Sequence, residues 1–335
     1  MKIGVMGAGS IGCYVGGRVL AARGADVVFL GRARLQSKLR EHGIRLSSLD
    51  AFAATVAPDR VVYETDVSVL GDCDVVFVCV KSAQSEEVGR ALNEVLSKDC
   101  AVVSLQNGVR NADVLGEALG RARVQAGIVS FNVVSKGDGR FHQGTSGPLM
   151  IERGPEFVTR ALEATGLDVE VRDDLAPDQW AKLLVNLNNA VSALSGAQTR
   201  SLILEPVYRR IIALVVEEGL AVLRAAQVRP ASLRGVPMGI LPTLFRLPTP
   251  IVRLVMRKPM RADPEARSSM WEDLERRRPT EVHFLNGEIV RLAASCGVPA
   301  PVNTKIVQLI REAEAAGAGS PNIEGEALLR AVLRV

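Results

Sequence analysis

Three glycines near the start of the chain constrain its fold more than any other feature. Gly7, Gly9 and Gly12 have the G-x-G-x-x-G spacing, directly after the apolar run at 2–7 and at the start of a helix-like pattern. In that spacing the first glycine allows a tight turn, the second lets backbone N–H groups approach a pyrophosphate, and the third lets the helix pack on the strand. The alternative is a glycine-rich turn that holds no ligand. The predicted dinucleotide contacts are Gly7, Ala8, Gly9, Ser10, Ile11 and Gly12.

Apolar runs and helical patterns alternate through the first half of the chain. The run at 25–31 predicts a strand, and the runs at 73–81 and 100–108 are continuous and end in polar residues, as strands buried on both faces of a parallel sheet do. The clearest helical pattern between them covers 85–98. We therefore predict an α/β fold, with a Rossmann-type dinucleotide-binding domain at the N-terminus.

The pattern changes after the acidic, proline-containing segment at 172–179. Beyond it the periodicity is helical throughout, which predicts a dinucleotide-binding domain over 1–173 and an all-helical domain over 174–335. Residues 229–262 stand apart as an insert with six prolines and seven basic residues. A helical surface excursion or a dimer contact is the first interpretation of this insert, and a membrane-surface segment is the second.

The overall composition limits the possible partners. A net charge of +4 and a pI near 8.9 suit anionic small molecules, and no nucleic-acid motif is present. Five scattered cysteines without a C-x-x-C pair are typical of reduced thiols in a cytoplasmic protein, and three distant histidines give no metal-ligand spacing. No signal peptide is recognisable, and no stretch is long and apolar enough for a membrane span. We expect no metal, no nucleic acid and no membrane span.

Polar residues at the predicted strand ends indicate which dinucleotide is bound. An acid after the second strand would bind the ribose 2′-hydroxyl of NAD, but this sequence has Arg32 and Arg34, whose guanidinium groups suit the 2′-phosphate of NADP. Either arginine could instead be merely solvated. Lys81 and Gln84 follow the next long strand and Asn107 follows the one after, at the sheet edge where ligands bind. An ordinary helix-capping turn is the alternative for Asn107.

One apolar helix near 180–197 carries an unusual polar face. Lys182, Asn186 and Asn189 are spaced i, i+4 and i+7 and therefore share one side, from which Asn188 points away. A lysine there could stabilise and protonate the alkoxide that forms when hydride reaches a ketone, while the amides orient the substrate. A snorkelling lysine with asparagines bonded to a loop is equally compatible with the spacing.

Two further residues have plain structural interpretations when taken alone. Glu281 lies near a predicted helix start, where an acid is favourable in any case. Ser269 could be an ordinary helix-surface residue.

In order and separation, these segments resemble the ketopantoate reductase (2-dehydropantoate 2-reductase) family over nearly the whole chain. The resemblance rests on GAGSIG, GR at 31–32, VKSAQ, LQNGV, AKLLVN, SSMWED and PTEVHFLNGEIVRLA followed by GVPAPVNT. It implies an NADPH-binding Rossmann domain joined to an all-helical domain, in the 6-phosphogluconate-dehydrogenase-like group.

The resemblance also implies roles for individual residues. Lys182 would be the general acid and touch substrate, Asn186 would bind substrate oxygens, and Ser269 would hold the carboxylate. Glu281 would align cofactor and substrate, and Lys81 and Asn107 would contact NADPH. The family pattern places its second asparagine at the position of Ala190, so Asn189 either substitutes for it or is offset by one residue.

The expected activity is NADPH-dependent reduction of a 2-oxo acid to a 2-hydroxy acid, with 2-dehydropantoate as the first candidate and pantoate, a precursor of pantothenate, as its product. The alternatives are a related NADPH-dependent hydroxyacid dehydrogenase with another substrate, and a non-catalytic NADPH-binding regulator. A homodimer is a further possibility.

Overall fold

The computed structural model describes residues 1–232, 235–255 and 267–334. It divides into two compact units, Met1–Leu175 and Ala176–Val335.

Twelve strands form two sheets in the N-terminal unit. The main sheet has eight strands in the order β12-β11-β8-β7-β6-β1-β2-β5, and all its neighbours are parallel except β8 and β11. The small sheet has the order β4-β3-β10-β9. The strands are β1 (Lys2–Met6), β2 (Asp26–Leu30), β3 (Ile44–Ser48), β4 (Ala53–Val56), β5 (Val62–Glu64), β6 (Val75–Val78), β7 (Ala101–Ser104), β8 (Val124–Val129), β9 (Val133–Ser135), β10 (Arg140–Gln143), β11 (Leu149–Glu152) and β12 (Val169–Arg172).

The central strands are buried on both faces. Val76 and Phe77 are adjacent in β6, yet they belong to different hydrophobic clusters, one on each side of the sheet. This arrangement explains why the sequence shows continuous apolar runs rather than alternation. The predicted α/β class and the dinucleotide-binding fold are confirmed.

Five helices accompany these sheets: α1 (Ser10–Ala22), α2 (Ala33–His42), α3 (Ser85–Val95), α4 (Asn111–Leu119) and α5 (Glu156–Glu163). Helices α1, α2 and α4, together with the short 3-10 turn before α3, follow the carboxyl ends of β1, β2, β7 and β6. The polar loops at these four junctions therefore share one edge of the main sheet.

The small sheet was not anticipated. The segment at 44–56 was not predicted as strand, because its strands are short and only half of their residues are apolar. The strand β8 lies in the main sheet, whereas β9 and β10 form an antiparallel hairpin in the small one. Gly17 of α1 lies close enough to Ile44 and Leu46 that an added Cβ would stand 3.1 to 3.3 Å from their side chains.

The described part of the C-terminal unit is helical, as predicted. Its helices are α6 (Ala176–Asn186), α7 (Asn188–Ser195), α8 (Thr199–Leu204), α9 (Pro206–Ala225), α10 (Leu241–Arg246), α11 (Thr249–Val255), α12 (Ser269–Glu275), α13 (Asn286–Cys296), α14 (Pro301–Ala316) and α15 (Gly325–Leu333). None of the helices in the described ranges combines the length and apolarity needed to cross a bilayer.

The predicted insert at 229–262 is described except for 233–234 and 256–262, which lie outside the described residues. Its described part contains a 3-10 turn at Met238–Ile240 followed by α10 and α11. Buried Arg209 of α9 donates to the carbonyl oxygens of Phe245 and Leu247, at 3.0 and 3.1 Å. These bonds fix the excursion to the longest helix of the unit.

Candidate active site

The glycine turn has the geometry that the motif predicts. Gly7 has a φ of +99°, a conformation that L side chains rarely adopt. The backbone N–H groups of Gly7 and Ala8 donate to the carbonyl oxygen of Leu30, at 3.0 and 2.9 Å. A Cβ added at Gly12 would lie 2.4 Å from the carbonyl oxygen of Gly7, whereas one added at Gly9 would meet nothing within 4 Å. The turn is tightly packed at its first and third glycines and open at its second.

The start of α1 suits an anionic ligand. Gly9 precedes the helix without a side-chain cap, and the first turn carries no acid. The first N–H groups of a helix lack intrahelical partners and, with the helix dipole, favour a negative group. These residues therefore fit a dinucleotide pyrophosphate, with Ser10, Ile11 and Gly12 at the N-terminal turn.

Arg32 lies immediately after β2 and precedes α2. Its side chain is exposed, as is that of Arg34. Buried Tyr63 holds the backbone at this point, because its hydroxyl donates to the Arg32 carbonyl oxygen at 3.2 Å. A Cβ at Gly31 would lie 2.2 Å from the same hydroxyl, so only glycine fits there without rearrangement.

Lys81 and Asn107 lie on two turns that are bonded to each other. Lys81 precedes the short 3-10 turn Ser82–Gln84, where Gln84 is exposed, and Asn107 lies three residues after β7. The Ser82 hydroxyl donates to the Asn107 carbonyl oxygen at 2.8 Å. The strands end earlier than predicted, at Val78 and Ser104. Both residues therefore lie on the loops that follow these strands.

A buried polar network beneath these turns was missed in the sequence. The Ser85 hydroxyl donates to Oδ1 of Asn111, and Gln106 Nε2 donates to the Ser85 hydroxyl, both at 2.8 Å. Asn111 Nδ2 donates to the Ser82 hydroxyl at 3.2 Å. Because buried polar groups that satisfy one another fix a single backbone arrangement, this network positions Lys81 and Asn107. The signal was available: Ser85, Gln106 and Asn111 are polar residues beside predicted buried strands.

Lys182 is partly buried in α6 and has a perturbed pKa. Removal from water lowers its pKa from an ordinary 10.5 to about 8, while the negative charge of Glu281 acts in the opposite direction. The structure therefore places the ammonium of Lys182 within electrostatic reach of Glu281. A lysine in this state is protonated at neutral pH yet can give up its proton at modest cost.

The asparagines after Lys182 occupy different surroundings. Among the residues that the structure describes, the partly buried Asn186 side chain has no hydrogen-bond partner, which leaves its amide available to a ligand. The predicted continuous helix is interrupted at Leu187, and Asn188 begins α7. Ala190 is fully buried and Asn189 only partly, so Asn189 is the better placed of the two to contact a ligand.

The two serines before α12 have separate roles. Ser268 is buried, caps α12 by accepting from the Trp271 N–H at 3.1 Å, and donates to the Asn189 carbonyl oxygen at 2.9 Å. Ser269 is the first residue of α12 and is exposed. The Ser268 bond thus brings Ser269 to the same side of the unit as Asn189.

Glu281 precedes a 3-10 turn, Val282–Phe284, rather than the continuous helix that the periodicity predicted. The helix α13 starts only after Leu285, and buried Asn286 at its first position donates to Oδ1 of Asn303 at 3.1 Å. Asn303 in turn donates through Nδ2 to Glu218 at 2.9 Å. This second buried network, also missed in the sequence, anchors the turn that carries Glu281.

A dinucleotide-binding domain followed by a helical unit that carries a desolvated lysine beside a carboxylate is the architecture of a dinucleotide-dependent oxidoreductase. Comparisons with known proteins narrow this class of oxidoreductases to one family. A family model described as "Ketopantoate reductase PanE/ApbA" matches residues 3–156, and its C-terminal counterpart matches 174–314. The chain belongs to the ketopantoate reductase family.

Individual relatives cover almost the whole chain. The 2-dehydropantoate 2-reductase of Archaeoglobus fulgidus is 30% identical, over 93% of this chain and 98% of the relative. A crystal structure of a PanE/ApbA family ketopantoate reductase from Ralstonia eutropha superimposes with a TM-score of 0.80 at 31% identity, over 95% of this chain and 99% of that one. D-mandelate dehydrogenase, solved with NADH and anilino(oxo)acetate, shares the fold at 20% identity and a TM-score of 0.77, over 95% of this chain and 99% of that one.

Proposed function

We propose that the protein reduces 2-dehydropantoate, a 2-oxo acid, to the 2-hydroxy acid pantoate with NADPH. The observation that carries this proposal is the state of Lys182: burial lowers its pKa to about 8, and the negative charge of Glu281 favours its protonated form. The names of the relatives, 2-dehydropantoate 2-reductase, support the substrate.

The bound nicotinamide would supply hydride to the carbonyl carbon of the substrate. The chain's own contribution is to stabilise and protonate the resulting alkoxide. Lys182 holds a proton that it can release at neutral pH, since its pKa is close to the working range. Asn186, one turn later in α6, offers an amide to the substrate oxygens and cannot compete as an acid. Ser269 and Asn189 would hold the carboxylate end.

The choice of NADPH rests on Arg32 and Arg34. Both side chains are exposed directly after β2, and the residues that follow this strand, 31–34, include no acid to accept a ribose 2′-hydroxyl. A guanidinium forms strong charge-assisted hydrogen bonds to phosphate. Lys81, Gln84 and Asn107 are the further cofactor contacts in this proposal. Glu281 would align the two reactants.

A panel of 2-oxo acids, assayed with NADPH and with NADH, tests the activity. The proposal expects the highest kcat/KM for 2-dehydropantoate with NADPH. Good turnover of another 2-oxo acid, with 2-dehydropantoate poor, would instead identify a hydroxyacid dehydrogenase of different specificity. The shared fold with a mandelate dehydrogenase makes that the second candidate.

A non-catalytic NADPH-binding regulator is the remaining alternative. A desolvated ammonium costs folding free energy, and a sensor has no use for a proton donor. Tight NADPH binding without turnover of any member of the panel would favour the regulator and contradict the proposed reaction.

A further inference from the structure

The small sheet of the N-terminal unit has one buried face and one open face. Successive side chains of a strand point to opposite faces of the sheet, so the neighbours of each buried residue in the chain point to the open face. A depression of about 340 Å³ opens on the outer face, formed by side chains of β3, β4 and β10 and the turn after β9. The inward side chains beneath it are Leu46 and Phe141.

The charged side chains that line the depression are all cationic. Arg45, Lys136 and Arg140 carry permanent charges at neutral pH, and His142 adds an imidazole. No aspartate or glutamate is among the lining residues. A concave surface with cations on several sides concentrates field lines and attracts anions.

The strand register sets the two arginines directly beside each other. Arg45 of β3 pairs with Arg140 of β10 in a parallel ladder, and Thr55 of β4 pairs with Arg45 on the other side. Like charges opposed across strands destabilise a sheet. A face that served only solubility would gain from charges of mixed sign. An anion held between the two guanidinium groups would remove the repulsion.

Part of the site is held in place by neighbouring groups. Arg140 donates through Nη2 to the Lys136 carbonyl oxygen at 3.1 Å, and the Ser47 hydroxyl lies 2.8 Å from Nδ1 of His142. Asp138 lies 3.9 Å from Arg140, but it also lies 3.3 Å from Lys38, so it neutralises Arg140 only in part. Arg45 forms no ion pair with any residue in the described ranges.

We propose that this face binds the phosphate group of a small phosphorylated metabolite, at a site separate from the glycine turn. Paired guanidinium groups match the oxygens of phosphate, and the Thr55 hydroxyl adds a donor. The volume is in the range of small-molecule pockets. Phe141, the one phenylalanine, tyrosine or tryptophan in the lining, is buried, so the face offers no large exposed ring on which single-stranded nucleic acid could stack. This inference is independent of the proposed reaction.

Titration calorimetry of the full chain at constant ionic strength tests the site, with inorganic phosphate and glycerol 3-phosphate as probes. The double variant Arg45→Ser/Arg140→Ser is expected to weaken binding of both at least about tenfold. The matched control Arg90→Ser/Arg153→Ser removes the same charge from exposed positions of the same unit and is expected to change affinity less than about twofold. Arg32→Ser/Arg34→Ser separates this site from the nucleotide site and should retain binding.

Several results would overturn the proposal. They are the failure of both probes to bind, normal binding by the Arg45/Arg140 variant, and loss of binding in the Arg32/Arg34 variant. Vesicles containing phosphatidic acid and a single-stranded oligonucleotide form the comparison arms, and Arg45/Arg140-dependent binding of either that is tighter than that of glycerol 3-phosphate would replace the metabolite by that partner. Circular dichroism checks that each variant is folded. The conservative variant Arg45→Lys/Arg140→Lys keeps the positive charges but loses the paired N–H donors of the guanidinium groups, so it should show intermediate affinity.

Discussion

Glu281 partly offsets the effect of burial on Lys182, so that the lysine has a pKa of about 8 instead of a still lower value. The two residues lie about a hundred positions apart in the sequence, on α6 and on the turn before α13, within one compact unit. Burial and this interaction together set the pH range in which the lysine can serve as a proton donor.

This interaction predicts the pH dependence of the reduction. The donor must be protonated, so kcat/KM should be constant at neutral pH and fall about tenfold per pH unit above a midpoint near 8. Glu281→Gln removes the charge that raises the Lys182 pKa, so the midpoint should move to lower pH. Glu272→Gln, which removes a partly exposed acid of α12, is the matched control. An unshifted midpoint in Glu281→Gln would contradict the assigned coupling.

The same burial predicts a stability cost. Between about pH 8 and 10.5 the unfolded chain binds more protons at this lysine than the folded chain, so the penalty is complete below pH 8 and is relieved as the pH rises to 10.5. The difference in pKa corresponds to ~3 kcal/mol, or ~2 kcal/mol after allowance for partial exposure. Lys182→Met should therefore raise the free energy of unfolding at pH 7 by ~2 kcal/mol in a urea titration. Equal stability of the two proteins at pH 7 would argue against a desolvated lysine.

Arg32 and Arg34 should determine the cofactor preference. Replacing both with serine removes the charged hydrogen bonds to a 2′-phosphate, so KM for NADPH should rise at least about tenfold while KM for NADH changes little. Arg40→Ser, an exposed arginine later in the same helix α2, is the matched control. Steady-state kinetics with both cofactors provide the measurement, and an unchanged ratio of the two kcat/KM values would exclude the arginines as the determinant.

The glycine turn predicts two opposite substitution phenotypes. A Cβ at Gly9 meets nothing within 4 Å, so Gly9→Ala should keep the melting temperature but weaken NADPH binding, because the methyl group takes the space left for the pyrophosphate. A Cβ at Gly12 would stand 2.4 Å from the Gly7 carbonyl oxygen, so Gly12→Ala should lower the melting temperature itself. Thermal melts without cofactor, followed by NADPH titration, separate the effects. Normal NADPH affinity in Gly9→Ala would contradict the placement of the pyrophosphate.

The sequence was sufficient to predict those features that depend only on residues close together in the chain. Continuous apolar runs predicted the buried strands, and the spacing of Gly7, Gly9 and Gly12 predicted the turn, because both depend on residues close together in the chain. The pairing of Lys182 with Glu281 could be expected only through the family resemblance, since helical periodicity does not relate residues on different helices. The small sheet was missed because short strands such as Ile44–Ser48 alternate polar and apolar residues over too few positions.

Residues that act by holding others in place were the hardest to find. Asn286 and Asn303 lie on different helices and satisfy each other only after those helices pack. Ser268 and Ser269 are neighbours with equal propensities, yet one is buried as a helix cap and the other is exposed. These distinctions are tertiary, and a single sequence carries no local signal for them.

We propose that Lys182 delivers the proton that completes the reduction. The most direct measurement compares kcat for 2-dehydropantoate in the native protein and in Lys182→Ala, with NADPH binding measured in parallel by fluorescence. The kcat is expected to fall about 10²- to 10⁴-fold while the Kd for NADPH stays within about twofold. A Lys182→Ala variant that turns over at the native rate would contradict this role.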